Sequence, residues 1–440
     1  MNVRLPYSRK KRYLTGIDWV IAALDRMSRR ATGGSNASQI VLELNGPFDA
    51  QRFARAMTEF AGLFPVLNGR STRDWNLAPY WRMPRRSAEG GVRIAMEDAA
   101  PEGVWPALER NVNASFEQSG EHLSFRVVRE GPNRTWVAMR FNHLIFDAPG
   151  AESFLDLFQR QQSGEDIGDR LRAIRLTEPA HLSEWKRKFD GGRLLVRMLR
   201  AFAGTKLAVF SRPSDLRGRP SRFRMAAFGE AETAAVIERA YGEAGYLMFM
   251  PYTLSAAIQA FGGAFQAKGG GGAADIIASV SIDLRTPDTV AANLFFNHVS
   301  FLLFRVPLSA MADRRRLLET VRGQMYDQVK SGFPRALAES SLLMRIVPLP
   351  LLGRLLLMPL KGEFATFGFS AVGKGGYASR RFMEADVTNL FHMPLVPVPP
   401  GLGFVVNRYA GRMNAVVSYV DGMFTEEEAA RLEADVRRGL

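Results

Sequence analysis

The sequence predicts an α+β fold, in which helices and strands alternate along two halves of the chain. Its 440 residues are enough for two domains, each with a core of its own. Helical and strand-like patterns alternate before residue 181 and again after residue 224, whereas the residues between carry few strand signals. We therefore predict an N-terminal lobe over residues 1–180, a basic crossover over residues 181–224 and a C-terminal lobe over residues 225–440.

Three segments early in the first half have a clear period. They predict a helix over residues 17–27, a strand over residues 39–44 and a helix over residues 50–64. A hairpin is predicted next, with strands over residues 122–129 and 135–142 around a Gly131-Pro132-Asn133 turn. This hairpin delivers His143, and apolar residues with helical spacing follow from residue 151.

The second half repeats this alternation. Its segments predict a helix over residues 230–244, strands over residues 275–282 and 298–306, a hairpin over residues 405–420 and a final helix. The final helix begins with a capping box, in which Thr425 and Glu428 satisfy the first free backbone amides.

Composition excludes several kinds of site. The chain has no cysteine, which excludes disulfides, thiolate metal ligands and a cysteine nucleophile. Its five histidines lack the spacing of a metal site, so we expect no bound metal. The basic N-terminus is not followed by the apolar segment of a signal peptide, and the apolar residues 342–360 are interrupted by Arg and Pro. These features predict a cytoplasmic location.

Positive charge is concentrated in the basic crossover. The net charge is +14, and residues 181–224 hold twelve Lys or Arg against three acidic residues. Such a patch attracts an anion: a phosphorylated cofactor, an acidic carrier protein, a lipid head group or a nucleic acid. Nucleic acid is the least favoured of these, because the segment has no recognition motif and no pattern of stacking aromatic residues. The alternative without a partner is a solvated surface.

The most informative run is residues 141–150, Phe-Asn-His-Leu-Ile-Phe-Asp-Ala-Pro-Gly. A strand delivers His143, Asp147 follows four residues later, and a turn of small residues opens a helix. A histidine at a strand end projects into a cleft from a rigid backbone, which suits a general base. A purely structural histidine is the alternative. Asp147 is predicted either to cap the helix or to pin the loop by pairing with a distant arginine.

This run resembles the HHxxxDG signature of peptide-synthetase condensation domains, bacterial wax-ester synthases and polyketide-associated acyltransferases, and the shorter HxxxD form of plant acyltransferases. Three further segments resemble that superfamily in the same order along the chain: residues 280–285, which end in Arg285, residues 293–300, and residues 369–373, which include Ser370. The closing hairpin and capped helix also fit. The chain is thus similar to the condensation-domain and chloramphenicol-acetyltransferase-like superfamily.

The resemblance implies two chloramphenicol-acetyltransferase-like lobes that form a pseudo-dimer around a central tunnel. It implies an acyltransferase that moves an acyl group from a thioester donor to an alcohol or amine. His143 is then the general base, Asp147 pairs with Arg285 in a structural salt bridge, and Ser370 is the candidate oxyanion donor. No tightly bound cofactor is implied, because acyl-coenzyme A or a phosphopantetheinyl carrier protein is the co-substrate.

Two departures from the signature leave a second function open. Asn142 stands where the paired form has its first histidine, and Ala148 stands where the family has a glycine that leaves room near the reacting carbonyl. The alternative is a catalytically inactive condensation-like protein that binds a carrier domain, or a peripheral contact of residues 181–224 with an anionic membrane. At single positions, the alternatives are a plain strand end for Arg285, a turn for Ser370 and a half-buried strand for His298.

Overall fold

The computed structural model of the chain describes residues 11–84, 92–116, 120–176, 185–202, 204–374 and 376–440. The predictions for residues 1–10 and for residues 181–184 of the basic crossover lie outside this part of the chain. Helices and strands alternate throughout the described residues, which confirms the α+β class.

The helices and strands have the following bounds. The strands are β1 (Lys11–Tyr13), β2 (Ala37–Asn45), β3 (Arg70–Arg73), β4 (Pro79–Arg82), β5 (Arg93–Asp98), β6 (Leu123–Arg129), β7 (Arg134–Asn142), β8 (Ser221–Phe228), β9 (Asp275–Asp283), β10 (Val299–Pro307), β11 (Phe367–Lys374), β12 (Arg381–Phe382), β13 (Ala385–Pro394), β14 (Leu402–Tyr409) and β15 (Arg412–Val420). The helices are α1 (Gly16–Ala31), α2 (Ala50–Gly62), α3 (Trp105–Asn113), α4 (Ala148–Gln162), α5 (Gly168–Ala173), α6 (Trp185–Phe202), α7 (Glu230–Ala244), α8 (Phe249–Ala267), α9 (Arg314–Lys330), α10 (Phe333–Ser341), α11 (Leu349–Leu357) and α12 (Glu426–Gly439).

Local signals place several element ends where the sequence predicts them. The carboxylate of Asp49 accepts hydrogen bonds from backbone N–H groups in the first turn of α2. Thr425 and Glu428 form the predicted capping box of α12. In the β14–β15 hairpin, Ala410 and Gly411 have φ angles of 52° and 84°, as a two-residue turn of type I′ requires.

One six-stranded sheet belongs mainly to the first half of the chain and has the order β12-β13-β2-β7-β6-β5. β7 runs antiparallel to β2 on one side and to β6, its predicted hairpin partner, on the other. β12 and β13 come from the second half of the sequence, and β13 runs antiparallel to β2. The second half therefore completes the sheet of the first.

The other six-stranded sheet has the order β10-β9-β11-β14-β15-β8. β11 runs parallel to β9 and to β14, whereas the remaining neighbours are antiparallel. Helices α7, α8, α9 and α12 contribute apolar side chains to the core of this part of the protein. β8 begins at Ser221, inside the predicted basic crossover. The division of the chain at residues 180 and 225 stays a prediction.

A short segment of the second half is buried in the core of the first. Leu294, Phe295 and Phe296 are at most 1% exposed, and they share an apolar cluster with side chains of α2, β7 and α4. The ring centroid of Phe295 lies 5.4 Å from that of Phe64 and 5.3 Å from that of Phe146. Because cores are close-packed, this segment fixes the two residues that follow it against the end of β7.

Several cations of the basic crossover form ion pairs within the protein. Its arginines form ion pairs with both halves of the chain: Arg187 with Glu339, Arg212 with Glu363, Arg222 with Glu109 and Asp421, and Arg224 with Glu426. Helix α6 packs on α10, where a Cβ on Gly191 would lie 2.6 Å from the carbonyl oxygen of Ala336. Lys186, Arg193 and Arg197 stay exposed, so a cationic surface remains on the outer face of α6.

The apolar residues 342–360 form a 3-10 turn and the short helix α11. Leu352 is buried in the core, whereas Leu351, Leu355 and Met358 are exposed. Among the described residues, none of the helices combines the length and the apolar character needed to cross a membrane.

Candidate active site

The candidate base stands on a turn that both halves of the chain hold in place. β7 is paired on both sides, so its last residue, Asn142, has a fixed position. His143 begins the turn, is half-buried, and donates its backbone N–H to the carbonyl oxygen of Asn36 at 3.2 Å. From the second half, the backbone N–H of Phe296 donates to the carbonyl oxygen of Ile145.

Asn142, which replaces the first histidine of the paired signature, shapes this turn. Its Oδ1 accepts from the backbone N–H of Leu144 at 2.9 Å, and its Nδ2 faces Nδ1 of His122 at 3.2 Å. Nε2 of His122 then donates to the carbonyl oxygen of Gly69 at 2.8 Å. Burial lowers the pKa of His122, in agreement with a neutral ring that accepts on one side and donates on the other. Asn142 therefore holds the turn by hydrogen bonds, although the HHxxxDG signature has a histidine at this position.

The ring of His143 is oriented by Asn297, which the sequence analysis did not single out. Nδ2 of Asn297 donates to the carbonyl oxygens of His143 at 2.8 Å and of Leu144 at 3.4 Å. These bonds assign the amide orientation, so Oδ1 faces the imidazole and accepts from Nδ1–H of His143 at 3.2 Å. A neutral imidazole with its proton on Nδ1 has a free lone pair on Nε2, which is the form that a general base needs.

Asp147 and Arg285 come together although 138 positions separate them in the sequence. Nη2 of Arg285 donates to Oδ1 of Asp147 at 2.8 Å, and the two side chains are 3% and 2% exposed. Oδ1 also accepts from the backbone N–H of Gly150, and Oδ2 accepts from that of His298, both at 3.0 Å. Burial opposes the charge on Arg285, but Asp147 and Asp283 outweigh it and raise the pKa. Asp147 thus both caps α4 and ties it to the second half.

His298 lies just before a strand rather than inside one. The strand predicted from residue 298 begins at Val299, because the backbone N–H of His298 is taken by Asp147 instead of by β9. Its Nε2 lies 3.2 Å from the carbonyl oxygen of Phe295. Burial lowers the pKa of His298, so its ring favours the neutral form.

A second buried ion pair supports Asn297. Arg12 and Asp18 are 1% and 0% exposed and are joined at 2.6 Å. Oδ1 of Asp18 accepts from the backbone N–H of Asn297 at 3.3 Å, and the guanidinium of Arg12 lies 3.8 Å from the ring centroid of Phe296. Thr15 and Asp18 form the capping box of α1. The three-residue spacing between a cap and its partner is a local signal that can be read in the sequence. The contact with Asn297 has no such local signal.

Ser370 lies within β11, opposite Ser281 of β9 and Val405 of β14, rather than in a turn. The hydrogen bonds of the described residues link the ring of His143 to Asn297 and not to Ser370. The role of Ser370 as oxyanion donor stays a prediction. Among the described residues, no group of three or more His, Asp or Glu side chains is placed to hold a metal ion.

Gly150 lies at a close approach between α4 and the second half. A Cβ at this position would lie 2.2 Å from the carbonyl oxygen of Leu294 and 3.0 Å from Oδ1 of Asp147. Ala148 is half-buried at the start of α4. The steric requirement for glycine in this turn therefore falls on position 150, two residues after the place where the signature has it.

We expect Gly150→Ala to lower the free energy of unfolding by about 2 kcal/mol, because the carbonyl of Leu294 is backbone and cannot turn away. Denaturant unfolding followed by tryptophan fluorescence measures the change. Gly242→Ala in α7 is the matched control, because nothing lies within 4 Å of the added Cβ, and it should change the free energy of unfolding by less than about 0.5 kcal/mol or raise it modestly. Equal losses in the two variants would contradict the close approach.

Comparison with known proteins places this geometry in a known fold. No protein-family model matches the chain, and no curated protein matches it in sequence. Solved structures do match. The TRI3 trichothecene 15-O-acetyltransferase from Fusarium sporotrichioides superposes with a TM-score of 0.71 at 12% identity, over 98% of this chain and 95% of its own.

Two further structures cover the chain equally well. The first condensation domain of the calcium-dependent antibiotic synthetase, solved with a substrate analogue, has a TM-score of 0.68 at 14% identity, over 98% of this chain and 95% of its own. The epimerization domain from the third module of tyrocidine synthetase B has a TM-score of 0.60 at 12% identity, over 98% and 96%. The two-lobed fold of condensation domains and chloramphenicol-acetyltransferase-like enzymes is thereby confirmed. Because these proteins include an acetyltransferase and an epimerization domain, the reaction has to be argued from the site.

Proposed function

We propose that this protein is an acyltransferase with His143 as its general base. The observation that carries the proposal is the contact with Asn297, which holds the proton of the imidazole on Nδ1 and leaves Nε2 able to accept another. The fold supports the same reaction class, since the proteins that share it include an acetyltransferase and a condensation domain. Acyl transfer to an alcohol or amine needs one positioned group to take the proton of the acceptor.

The reaction that we propose starts from a thioester substrate. Nε2 of His143 removes the proton of the acceptor hydroxyl or amine as the oxygen or nitrogen of that group bonds to the thioester carbonyl carbon. The tetrahedral oxyanion collapses, the C–S bond breaks, and His143 returns the proton to the departing thiolate. Asp147 and Arg285 move no proton and fix the turn that carries His143, while Ser370 remains the candidate donor to the oxyanion.

The donor in this proposal is acyl-coenzyme A or an acyl group on the phosphopantetheine arm of a carrier protein. Both carry negative charge, whereas α6 exposes Lys186, Arg193 and Arg197, of which Arg193 also pairs with Asp190. Opposite charges on two partners raise the rate at which they meet. We infer that the outer face of α6 steers the donor.

Reversing three exposed charges of α6, with Lys186, Arg193 and Arg197 each changed to Glu, should raise the apparent KM for the donor several-fold. Turnover at saturating donor should stay unchanged, because steering affects encounter and not chemistry. The difference should shrink with salt, since the screening length falls from about 8 Å at physiological ionic strength to about 3 Å at 1 M. Initial rates against donor concentration at low and high salt measure both effects.

The control for α6 is a second triple reversal on α9. Arg315, Arg316 and Arg322 are exposed there, and changing all three to Glu alters the net charge by the same amount. This variant should keep the KM of the wild-type protein. Equal shifts in the two triple variants would contradict a local role for α6.

A second candidate for this face is an anionic membrane surface. The observation that favours it is a stripe of Trp185, Phe189 and Val196, which are 46%, 56% and 47% exposed beside the α6 cations. Apolar side chains flanked by Lys and Arg are typical of helices that lie in a membrane interface. Binding to phosphatidylserine vesicles that the α6 variant loses, with donor kinetics unchanged, would assign the face to a membrane.

The experiment that tests the proposed function is a mass-spectrometric screen. Pools of acyl-coenzyme A and acyl-carrier-protein donors are incubated with pools of alcohols and amines, with His143→Ala as the control. We expect an ester or amide that forms with the wild-type protein and not with the variant. The screen also includes Ala148→Gly. If this variant forms product and the wild-type protein does not, Ala148 blocks the site and the inactive alternative holds. Equal products with wild type and His143→Ala would refute the proposal.

A further inference from the structure

A pocket of about 370 Å³ adjoins the turn that carries His143. One wall is the face of α1 that includes Asp25, Arg26, Arg29 and Arg30, and the remaining lining residues are Ile21, Ala22, Asn36, Ser71, Asn142, Leu144 and Leu349. The pocket thus has cationic side chains on one helix and apolar side chains around them.

The pocket is close to the candidate base. Asn142 and Leu144, the neighbours of His143 on either side, both line it. Asn36 joins the two, since its backbone N–H donates to Oδ1 of Asp25 at 2.7 Å and its carbonyl oxygen accepts from the backbone N–H of His143 at 3.2 Å. The pocket therefore adjoins the backbone on both sides of His143.

The charges in the pocket are unbalanced. Both carboxylate oxygens of Asp25 already accept hydrogen bonds, Oδ2 from Nε of Arg29 at 2.8 Å and Oδ1 from the backbone N–H of Asn36. Arg26 is partly buried, and its Nε is fully buried without a hydrogen-bond partner among the described residues. Arg26 lines the pocket, and an anion there can pair with the terminal N–H groups of its guanidinium.

We propose that this pocket binds the carboxylate of the acyl acceptor, with Arg26 as the residue that holds it. The acceptor is then an acid that carries a hydroxyl or amine on an otherwise apolar chain, which suits Ile21, Leu144 and Leu349 in the lining. The phosphate of a phosphopantetheine arm fits less well. That phosphate is separated from its own thioester by roughly 15 Å of extended amide chain, whereas Arg26 lies beside the turn that carries the base. This inference rests on the proposed function.

Isothermal titration of the full-length protein tests the proposal, with 3-hydroxyoctanoate as the probe and its methyl ester as the neutral match. The acid should bind at least about tenfold more tightly than the ester, because a hydrogen bond to a charged group is lost in the ester. Arg26→Gln should weaken binding of the acid by a similar factor and leave binding of the ester unchanged. Arg55→Gln on α2, an exposed arginine outside the pocket, is the control and should bind the acid as the wild type does.

Binding is measured without turnover, so the pocket and the proposed function fail separately. His143→Ala should bind the acid normally; if it does, and yet no protein forms product in the screen, the function fails while the pocket stands. The pocket proposal is overturned if acid and ester bind alike, if neither binds up to its solubility limit, or if Arg26→Gln binds the acid like the wild type. It is also overturned if 4′-phosphopantetheine, and not the acid, depends on Arg26.

Discussion

His143→Ala should lower kcat/KM for acyl transfer by about two to four orders of magnitude, which is the usual contribution of a positioned general base. The loss should appear in kcat, because the imidazole acts on the proton only as the acceptor attacks the thioester. The fold should survive, since His143 is half-buried and its backbone N–H and carbonyl keep their bonds to Asn36 and Asn297. Steady-state kinetics with circular dichroism and thermal unfolding measure the two properties.

His122→Ala would be a poor control for this experiment, because that ring supports Asn142 and the turn itself. His143→Gln is more informative, since it keeps volume and hydrogen bonding but has no basic nitrogen. A variant of either kind with the rate of the wild type would remove His143 from the chemistry. A variant that also unfolds early would show a structural role instead.

Asp147→Asn should lower the free energy of unfolding by about 3 kcal/mol, as expected when one partner of a buried ion pair loses its charge. Both oxygens of Asp147 accept hydrogen bonds, from Arg285 and Gly150 at Oδ1 and from His298 at Oδ2. An asparagine places an NH2 group against one of these donors, so a bond is lost as well as the charge. Activity should fall with stability, because the same turn carries His143.

Urea unfolding measures this loss, and Asp169→Asn in α5 is the matched control. The side chain of Asp169 is 94% exposed and, among the described residues, pairs with Arg172, so its variant should unfold within about 0.5 kcal/mol of the wild type. If Asp147→Asn has the stability of the wild type, the pair with Arg285 does not hold the two halves together at this site.

Sequence periodicity predicts the elements well where their signals are local. The helix predicted over residues 230–244 is α7, Glu230–Ala244, and the helix predicted over residues 50–64 begins after its Asp49 cap. The addition of β13 to the first-half sheet was not predicted. Its partner β2 is more than 300 positions away, and antiparallel pairing over that distance leaves no mark in either strand alone.

The candidate site likewise combines features that have a local signal in the sequence with features that have none. The strand-end position of His143 and the pairing of Asp147 with Arg285 are expected from short motifs and a resemblance, and the structure brings Asp147 and Arg285 together. Asn297 was missed because its role depends on which imidazole nitrogen it faces, a property of the fold. The net charge of the basic crossover overstates the charge that is free to attract an anion, because several of its arginines pair with acidic residues from both halves.

Changing the acidity of the acceptor tests whether His143 takes its proton. An acceptor found in the screen is compared with fluorinated analogues whose hydroxyl or ammonium group is progressively more acidic, and acyl-transfer rates are measured for the wild type and for His143→Ala. A more acidic acceptor needs less help from a base. If His143 is the base, the ratio of the wild-type rate to the His143→Ala rate should fall steadily as the acceptor pKa falls. A constant ratio across the series would show that His143 does not take this proton.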